Sequence, residues 1–264
     1  MNRVSIGIQS FLKKSLIYAN RVYVDLNKIK NVLELLSKEN IDINLDFIIG
    51  LPFSDYKKEL KILEKLLKEN FNITHLSFYE LTISEESYWG KNKNLLKINE
   101  QTILNYEKAL KELLEKYDFN KYEISNYSKK GKECKHNLGY WYYNDFIGLG
   151  PSATGKIGNI KIENKPDIYE YFKNNYKIVT KLTQKDSLKE AILMNLRLIE
   201  GINIKKFYNK FGFNILDLIK ESIRKYDIFF IIQNDYIYLK EEGVDILNKI
   251  LIDIFLEIDN KIDF

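Results

Sequence analysis

The stretch NLDFIIGLP, residues 44–52, decides the fold class of this chain. Residues 44–50 form a nearly continuous apolar run, which Gly50, Leu51 and Pro52 close. A run of this kind is typical of a strand that is buried on both faces, as in a parallel sheet. The stretch therefore predicts a buried strand at the centre of the fold.

Strand-like and helix-like segments alternate on either side of this run. The other strand-like segments are residues 3–9, 75–81 and 122–127. Apolar residues at helical spacing occur in residues 28–38, 59–68 and 103–117. This alternation predicts an α/β fold with a parallel sheet or a (β/α) barrel.

The middle of the chain has a distinctive glycine distribution. Four of the 12 glycines fall in FIGLGPSATGKIG, residues 146–158, which predicts close backbone approach or positive φ angles there. The more polar stretch PDIYEYFKNNYK, residues 166–177, predicts a connecting helix.

The last third of the chain has a helical pattern that differs from the first half. An amphipathic helix is predicted in SLKEAILMNLRLIEGI, residues 187–202, ending at Gly201. The segments that follow are helices at 204–211 and 216–225, strands at 228–232 and 236–239, and a helix at 244–257. Helices followed by a hairpin and a helix resemble a winged-helix-like module.

Composition excludes several classes of protein. The 264 residues are 45% hydrophobic and 30% charged, which excludes a disordered chain. One cysteine, Cys134, excludes an internal disulfide, a four-cysteine zinc site and a cysteine-held iron–sulfur cluster within these residues. The N-terminus has no targeting segment and no apolar run could span a bilayer, so we expect a cytoplasmic protein.

The winged-helix-like pattern raises the alternative of DNA binding, and the charge balance argues against it. From residue 187 onward there are 11 basic and 13 acidic residues, whereas a duplex-binding module is basic. The net charge of the chain is only +4. We therefore expect no nucleic-acid partner.

Seven motifs occur in the order found in HemW-type heme chaperones, the radical-SAM relatives of oxygen-independent coproporphyrinogen III oxidase. They are NRVSIGIQSF, NLDFIIGLP, HLSFYELTI, YEISNYSKKG, CKHNLGYW, FIGLGPSA and LRLIEGI. The most specific is HNLGYW, residues 136–141, which resembles the HNxxYW signature that distinguishes the chaperones from the oxidases. The resemblance implies a partial radical-SAM barrel at residues 1–165, a connecting segment at 166–186 and the family's C-terminal module at 187–264.

The chain also departs from the family pattern. The family begins with a CxxxCxxC segment that holds a [4Fe–4S] cluster, and a glycine-rich segment that contacts S-adenosyl-L-methionine (SAM) follows it. Neither occurs in this sequence, which resembles the family from its fourth barrel strand onward. We therefore expect residues 3–9 to form a sheet edge with unpaired backbone groups.

Three residues resemble family contacts to SAM. Gln9 and Asp46 end consecutive predicted strands, where an amide and a carboxylate can hold ribose hydroxyls. Arg21 keeps the family's spacing from Gln9 and would bind the methionine carboxylate. The alternatives are a turn-capping role for Asp46 and a solvated surface position for Arg21. The family's histidine two positions later is Tyr23 here.

Three residues of the HNLGYW motif are implied in heme binding by the resemblance. His136 would ligate the iron, since histidine is a common axial ligand, and Tyr140 and Trp141 would cover the macrocycle. The alternatives are a helix-start histidine bonded to backbone, with both aromatic residues in the core, and ligation by Cys134 instead. His75 is expected to have a structural role.

The leading hypothesis is a heme chaperone that binds heme near His136 and passes it to a recipient protein. A second hypothesis is the remainder of a coproporphyrinogen III oxidase-like radical-SAM enzyme, active only when a separate N-terminal barrel fragment supplies the cluster. A third is an inactive truncated product, which would be unstable when expressed alone.

Overall fold

The chain is described by a computed structural model that covers residues 1–92, 100–173 and 177–262. It divides into two units, Met1–Glu133 and Cys134–Phe264. The second unit begins before residue 165, where the resemblance places the end of the barrel. The division into residues 1–165, 166–186 and 187–264 stays a prediction.

The first unit is built on a five-stranded sheet. Its strands are β1 (Arg3–Gln9), β2 (Asp42–Ile49), β3 (Ile73–Glu80), β4 (Asn120–Lys121) and β5 (Asn126–Ser128). Its helices are α1 (Lys13–Tyr18), α2 (Leu26–Lys38), α3 (Tyr56–Lys68), α4 (Tyr88–Lys91) and α5 (Glu100–Lys116). The strand order is β1-β2-β3-β5-β4, with β1, β2 and β3 parallel and β5 antiparallel to both neighbours. As expected, β1 lies at an edge of the described sheet.

One face of this sheet packs against α2, α3 and α5. Leu33 of α2, Leu63 of α3 and Leu110 of α5 are buried against Ile43 and Leu45 of β2. Burial of each such side chain stabilises the fold by roughly 2 kcal/mol. Asp25 and Asp55 begin α2 and α3 by accepting backbone N–H bonds.

The strand predicted at residues 44–50 is confirmed as part of β2, but only one of its faces is apolar. Ile43, Leu45 and Phe47 of β2 enter the core, whereas Asn44 and Asp46 alternate with them and point to the opposite face. Burial nevertheless extends to the second face at Asn44, which is buried although it is polar. The second face of the sheet is polar.

The strand expected at residues 122–127 is also wrong in extent, because only β5 is extended. The backbone N–H of Tyr122 donates to the carbonyl of Asn126, which makes residues 122–126 a tight connection. The buried Glu123 carboxylate accepts the N–H of Ser125 inside that turn. β4 and β5 thus form an antiparallel hairpin rather than one longer strand.

The second unit has two three-stranded antiparallel sheets in the described residues. One consists of β6 (Thr154–Ile157), β7 (Ile160–Asn164) and β8 (Lys177–Lys181), and the other of β9 (Ile202–Asn203), β10 (Phe230–Gln233) and β11 (Tyr236–Leu239). The helices are α6 (Lys135–Trp141), α7 (Ile168–Phe172), α8 (Gln184–Asn195), α9 (Ile204–Phe211), α10 (Ile215–Leu218), α11 (Lys220–Lys225), α12 (Glu241–Asp245) and α13 (Leu247–Lys261). Leu188, Ile192, Ile237, Ile250 and Ile254 lie in the core that joins α8, β11 and α13.

The close backbone approach predicted for the glycine-rich segment is confirmed. A Cβ atom on Gly148 would lie 2.5 Å from the backbone of Thr154, and one on Gly155 would lie 2.8 Å from the Gly148 nitrogen. Gly150 has a φ of 99°, a conformation that favours glycine. Here the chain folds back on itself before the hairpin of β6 and β7.

Two predicted helices of the second unit are shorter than expected. Within residues 166–177 the helix covers Ile168–Phe172, residues 174–176 lie outside the described part, and β8 follows. The helix expected to reach Gly201 ends at Asn195, because the N–H groups of Arg197 and Leu198 bond three residues back and tighten the chain into turns.

Candidate functional site

Polar side chains cover the second face of the parallel strands. Strand register aligns Ser5 with Asn44 and Asn44 with His75, and the next row aligns Gly7 with Asp46 and Asp46 with Ser77. Asn44, His75 and Ser77 are buried, although all three are polar. Buried polar groups need hydrogen-bond partners, and these partners come from neighbouring strands.

Asn44 is the centre of this polar network. Its Nδ2 atom donates to Asp46 Oδ1 at 2.8 Å and to Ser5 Oγ at 3.0 Å. Its Oδ1 atom lies 2.8 Å from His75 Nδ1 and accepts a bond from Ser77 Oγ at 3.2 Å. One amide therefore orients side chains on all three parallel strands, including the predicted SAM contact Asp46.

His75 is held in the neutral state by its surroundings. Burial, together with the positive charge of Arg3, lowers its pKa to about 4. Its Nε2 atom lies 2.8 Å from the hydroxyl of Tyr122. Both ring nitrogens therefore have partners within the first unit, which is the arrangement of a structural histidine.

Gln9 lies beside Asp46 at the carboxyl end of the parallel strands. Gly7, two residues earlier, pairs with Asp46, and the register shifts between Gly7 and Gln9. Gln9 has a φ of 63°, and its amide folds over Gly7, where a Cβ atom would lie only 2.7 Å from Gln9 Nε2. The structure thus places the two predicted ribose contacts on neighbouring strands.

A buried carboxylate fixes the loop that follows Gln9. Ser10 Oγ donates to Glu59 of α3, and Tyr106 and the Phe11 backbone also bond to this carboxylate. Burial is the main cause that raises the pKa of Glu59 to about 6. Sequence reasoning missed Glu59, because nothing in the helical spacing of α3 distinguishes a buried carboxylate from an exposed one.

Arg21 lies in the loop after α1, and its side chain is exposed. Its backbone N–H donates to the carbonyl of Leu16 at 2.8 Å. α1 is attached to the loop after β2 by the bond from Ser15 Oγ to the carbonyl of Pro52, at 2.6 Å. In the described residues no hydrogen bond joins Arg21 to Gln9 or Asp46, so only the latter two are brought together.

α6 presents an exposed imidazole. His136 Nε2 lies 3.0 Å from the Tyr140 hydroxyl, and the two rings meet edge to face with centroids 4.8 Å apart. Tyr140 packs in turn against Phe146 at 4.6 Å. The spacing of i and i+4 places His136 and Tyr140 on one face of the helix, as the sequence predicts.

Trp141 lies on a different side of α6. Its carbonyl accepts a bond from Asn195 Nδ2 at 2.6 Å, and the Arg197 guanidinium lies 5.8 Å from its ring centroid. These contacts attach the end of α6 to α8 and to the turn that follows it. The structure brings His136 and Tyr140 together and directs Trp141 toward the interior of the second unit.

A lysine cluster that the sequence did not predict follows α6. The ammonium groups of Lys156 and Lys210 lie 4.0 and 4.8 Å from the ring centroid of the buried Tyr143. The Tyr143 hydroxyl donates to Glu190 at 2.9 Å, and burial together with this carboxylate raises its pKa. Residues separated by more than 60 positions meet here, which spacing along the chain cannot reveal.

The chemistry of His136 fits the heme iron that the resemblance implies, because a histidine nitrogen is a common axial ligand. His136 is exposed, bears a ligating nitrogen and adjoins the ring of Tyr140. In the described residues no group of three His, Cys, Asp or Glu side chains could hold a metal ion. No helix among the described residues is long and apolar enough to cross a membrane.

The fold of this chain is similar to that of a solved structure. Coproporphyrinogen III oxidase (HemN) from Escherichia coli, described as a radical SAM enzyme, superposes with a TM-score of 0.75 at 16% identity, over 99% of this chain and 65% of that one. Residues 182–246 match the model of the HemN C-terminal domain. The expected α/β class, with a partial barrel and a helical C-terminal module, is confirmed.

Curated relatives identify the family. The heme chaperone HemW of Buchnera aphidicola subsp. Acyrthosiphon pisum is 31% identical over 97% of this chain and 69% of its own length. The heme chaperone HemW of Buchnera aphidicola subsp. Schizaphis graminum is 35% identical over 85% of this chain, which spans only 60% of that relative. The chain belongs to the HemW heme chaperone family, and the resemblance seen in the sequence is confirmed.

Proposed function

We propose that this protein binds heme at His136 and passes it to a recipient protein. The observation that carries the proposal is the exposed imidazole on α6, beside the ring of Tyr140, which itself packs against Phe146. Membership of the HemW family supports heme as the ligand. The lone thiol fits a reducing compartment, and we place the protein in the cytoplasm.

The hydrogen bond between His136 and Tyr140 bears directly on iron ligation. Nε2 is the atom nearest the tyrosine hydroxyl, so ligation through Nε2 requires that this bond be exchanged for the iron. A neutral hydrogen bond contributes only about 1 kcal/mol net, so the exchange has a low cost.

Heme titration followed by visible absorbance tests the proposal. We expect His136→Ala to shift the Soret band and to lower heme affinity at least tenfold, because the iron loses its axial ligand. Lys135→Ala, which changes the preceding exposed residue of α6, is the matched control and should bind as the parent does. An unchanged spectrum and affinity in His136→Ala would remove the ligand assignment.

Tyr140→Phe separates ligation from simple stacking. This variant keeps the ring against Phe146 and removes the hydroxyl from Nε2. If Nε2 ligates the iron, we expect heme affinity to rise about two- to tenfold, since the competing hydrogen bond is gone. A loss of affinity would instead show that the hydroxyl itself contacts heme.

A second candidate function, radical-SAM chemistry, is favoured by the adjacency of Gln9 and Asp46 on the polar face. We propose that Gln9, Asp46 and Arg21 bind SAM when a separate N-terminal barrel fragment supplies the three cluster cysteines that these 264 residues lack. Co-expression with such a fragment should produce an iron–sulfur chromophore and SAM cleavage. Asp46→Asn should abolish SAM cleavage and leave the chromophore unchanged. Absence of both signals would refute this function.

A further inference from the structure

A cavity of about 250 Å³ opens in the second unit beside the end of α6. Tyr142, which follows α6, and Phe207 and Phe211 of α9 provide aromatic walls. The same helix contributes two cations one turn apart, Lys206 and Lys210. Aromatic walls with a few convergent polar groups are typical of a ligand site.

Neither the Lys206 ammonium nor the Lys210 ammonium forms an ion pair in the described part of the chain. Their neighbour Lys205, by contrast, forms an ion pair with Asp235 at 2.7 Å. The Lys206 ammonium lies 6.0 Å from the ring centroid of Tyr142, and the Lys210 ammonium donates to the carbonyl of Tyr143. α9 therefore presents two lysines without an ion pair to the cavity, and the Asp145 charge acts on one of them, Lys210.

The surroundings make Lys210 receptive to an anion. Its ammonium and that of Lys156 approach the same Tyr143 ring, and burial together with the Lys156 charge lowers the pKa of Lys210. Asp145 pairs with Lys156 at 3.1 Å and offsets part of this charge. Glu200 is the acidic residue among the described lining residues, and it is exposed.

The cavity lies within reach of a ligand held at His136. Tyr142, which caps the C-terminal end of α6 and lines the cavity, follows His136 by six residues, about 9 Å further along the helix axis. That distance is comparable to the one between the centre of a porphyrin and the carboxylates at its edge. The cavity is smaller than the roughly 300–1,000 Å³ of sites that enclose a whole ligand, so it suits an edge rather than a macrocycle.

We propose that this cavity binds the carboxylates of a porphyrin, with Lys206 and Lys210 as the anchoring cations. The inference rests on the heme binding proposed above and adds the groups that orient the ligand. With the iron bound at His136, the propionates would be bound at α9. Charge-assisted bonds of this kind are stronger than neutral ones.

Esterification of the ligand tests the carboxylate contact directly. Heme and heme dimethyl ester are titrated into the parent, Lys206→Gln and the double variant Lys206→Gln/Lys210→Gln. We expect the parent to prefer heme over the ester by about tenfold or more, and the double variant to lose that preference while its Soret band stays unchanged. Lys205→Gln, which removes the same charge from the same helix, should keep the preference.

Metal-free protoporphyrin IX separates this inference from iron ligation. Its binding, followed by fluorescence, should be unaffected by His136→Ala and about tenfold weaker in the double variant. If the double variant prefers heme over the ester as strongly as the parent does, the carboxylate site is overturned and the chaperone function stays intact. A parent that binds neither heme nor protoporphyrin IX would overturn both.

The single variant Lys206→Gln also serves as a control for folding. The Lys206 side chain makes no hydrogen bond or ion pair among the described residues, and its backbone N–H bond to Asn203 does not depend on the side chain, so Lys206→Gln should unfold at the temperature of the parent. This single variant alone is expected to lower the preference for heme over the ester about threefold or more. An unchanged preference in Lys206→Gln, with the fold intact, would contradict its role as an anchor.

Discussion

The polar face of the parallel strands and the exposed face of α6 both resemble family sites, yet they hold their side chains in opposite ways. On the strands, Asn44 and His75 are buried and bonded to residues of neighbouring strands. On α6, His136 is exposed, and its bond to Tyr140 stays within one helix. The first network is part of the fold, whereas the second pair is available to a ligand.

The difference in burial between the two sites indicates where a mutation can change function without loss of the fold. A buried hydrogen-bonded group is costly to unpair, since removal of one partner leaves another desolvated and unsatisfied. An exposed pair exchanges its partner for water or for a ligand at little cost. We therefore expect mutations on the strands to reduce stability and mutations on α6 to reduce binding.

The largest effect is expected at the centre of the buried network. Asn44→Ala removes the partner of His75, Ser77, Asp46 and Ser5 at once, so the free energy of unfolding should fall by about 4 kcal/mol. Denaturant unfolding measures the change. Asn27→Ala, at an exposed position of α2, serves as the control and should cost less than about 1 kcal/mol. Equal effects of the two substitutions would show that the network does not stabilise the fold.

Acid should weaken the fold through His75. Its pKa is about 4 in the folded state, below the ordinary value of 6.5, so the unfolded state takes up a proton first as the pH falls. The contribution of His75 to the free energy of unfolding, which is present above pH 6.5, is therefore lost between pH 6.5 and pH 4. The complete loss is about 3 kcal/mol. Unfolding free energies at pH 7 and pH 4.5, compared between the parent and His75→Gln, should show this loss only in the parent. A parallel loss in both would assign it to other groups.

Glu59 should produce a smaller pH effect of opposite sign. Its pKa of about 6 is raised above the ordinary value of 4.5, so its stabilising contribution is present at low pH and lost as the pH rises to about 6. The expected loss is about 2 kcal/mol. Glu59→Gln, which keeps the shape and cannot ionise, should abolish this slope in unfolding experiments between pH 4.5 and pH 7. Persistence of the slope would mean that the carboxylate is better solvated than its burial indicates.

The smallest effect on stability is expected at α6. His136→Ala removes an exposed side chain and one surface hydrogen bond, so the unfolding free energy should change by less than about 0.5 kcal/mol. Thermal unfolding of the heme-free protein measures it. A loss above about 2 kcal/mol would make His136 a structural residue like His75 and would erase the contrast between the two sites.

Local patterns predicted the elements well where one period dominates. The strand Arg3–Gln9 and the helix Ile204–Phe211 have the bounds that the sequence suggests. The hairpin of β10 and β11 turns at Asn234 and Asp235, both at positive φ, as such a two-residue connection requires. In β2 the alternation of Asn44 and Asp46 with apolar neighbours was present in the sequence, but hydrophobic Ile48 and Ile49 obscured it.

The contacts of the site depend on register and on long-range packing, which a single sequence does not show. His75 meets Asn44 only because β2 and β3 pair in one of several possible registers. The resemblance of HNLGYW to the family signature identified His136 and Tyr140, and helical spacing placed them on one face, whereas Lys210 reaches Tyr143 through packing of α9. β8 was missed because its five residues lie in a stretch of mostly polar composition.

Asn195 of α8 donates a hydrogen bond to the carbonyl of Trp141, and Lys210 of α9 donates one to the carbonyl of Tyr143. Side chains from α8 and α9 therefore stabilise the end of α6. The second unit accordingly begins at Cys134, well before the region that matches the HemN C-terminal domain. A gene segment that starts at the codon for Cys134 would carry the histidine helix and its fastening together. In recombination or domain grafting, α6 and the side chains that bond to its end would be transferred or lost together.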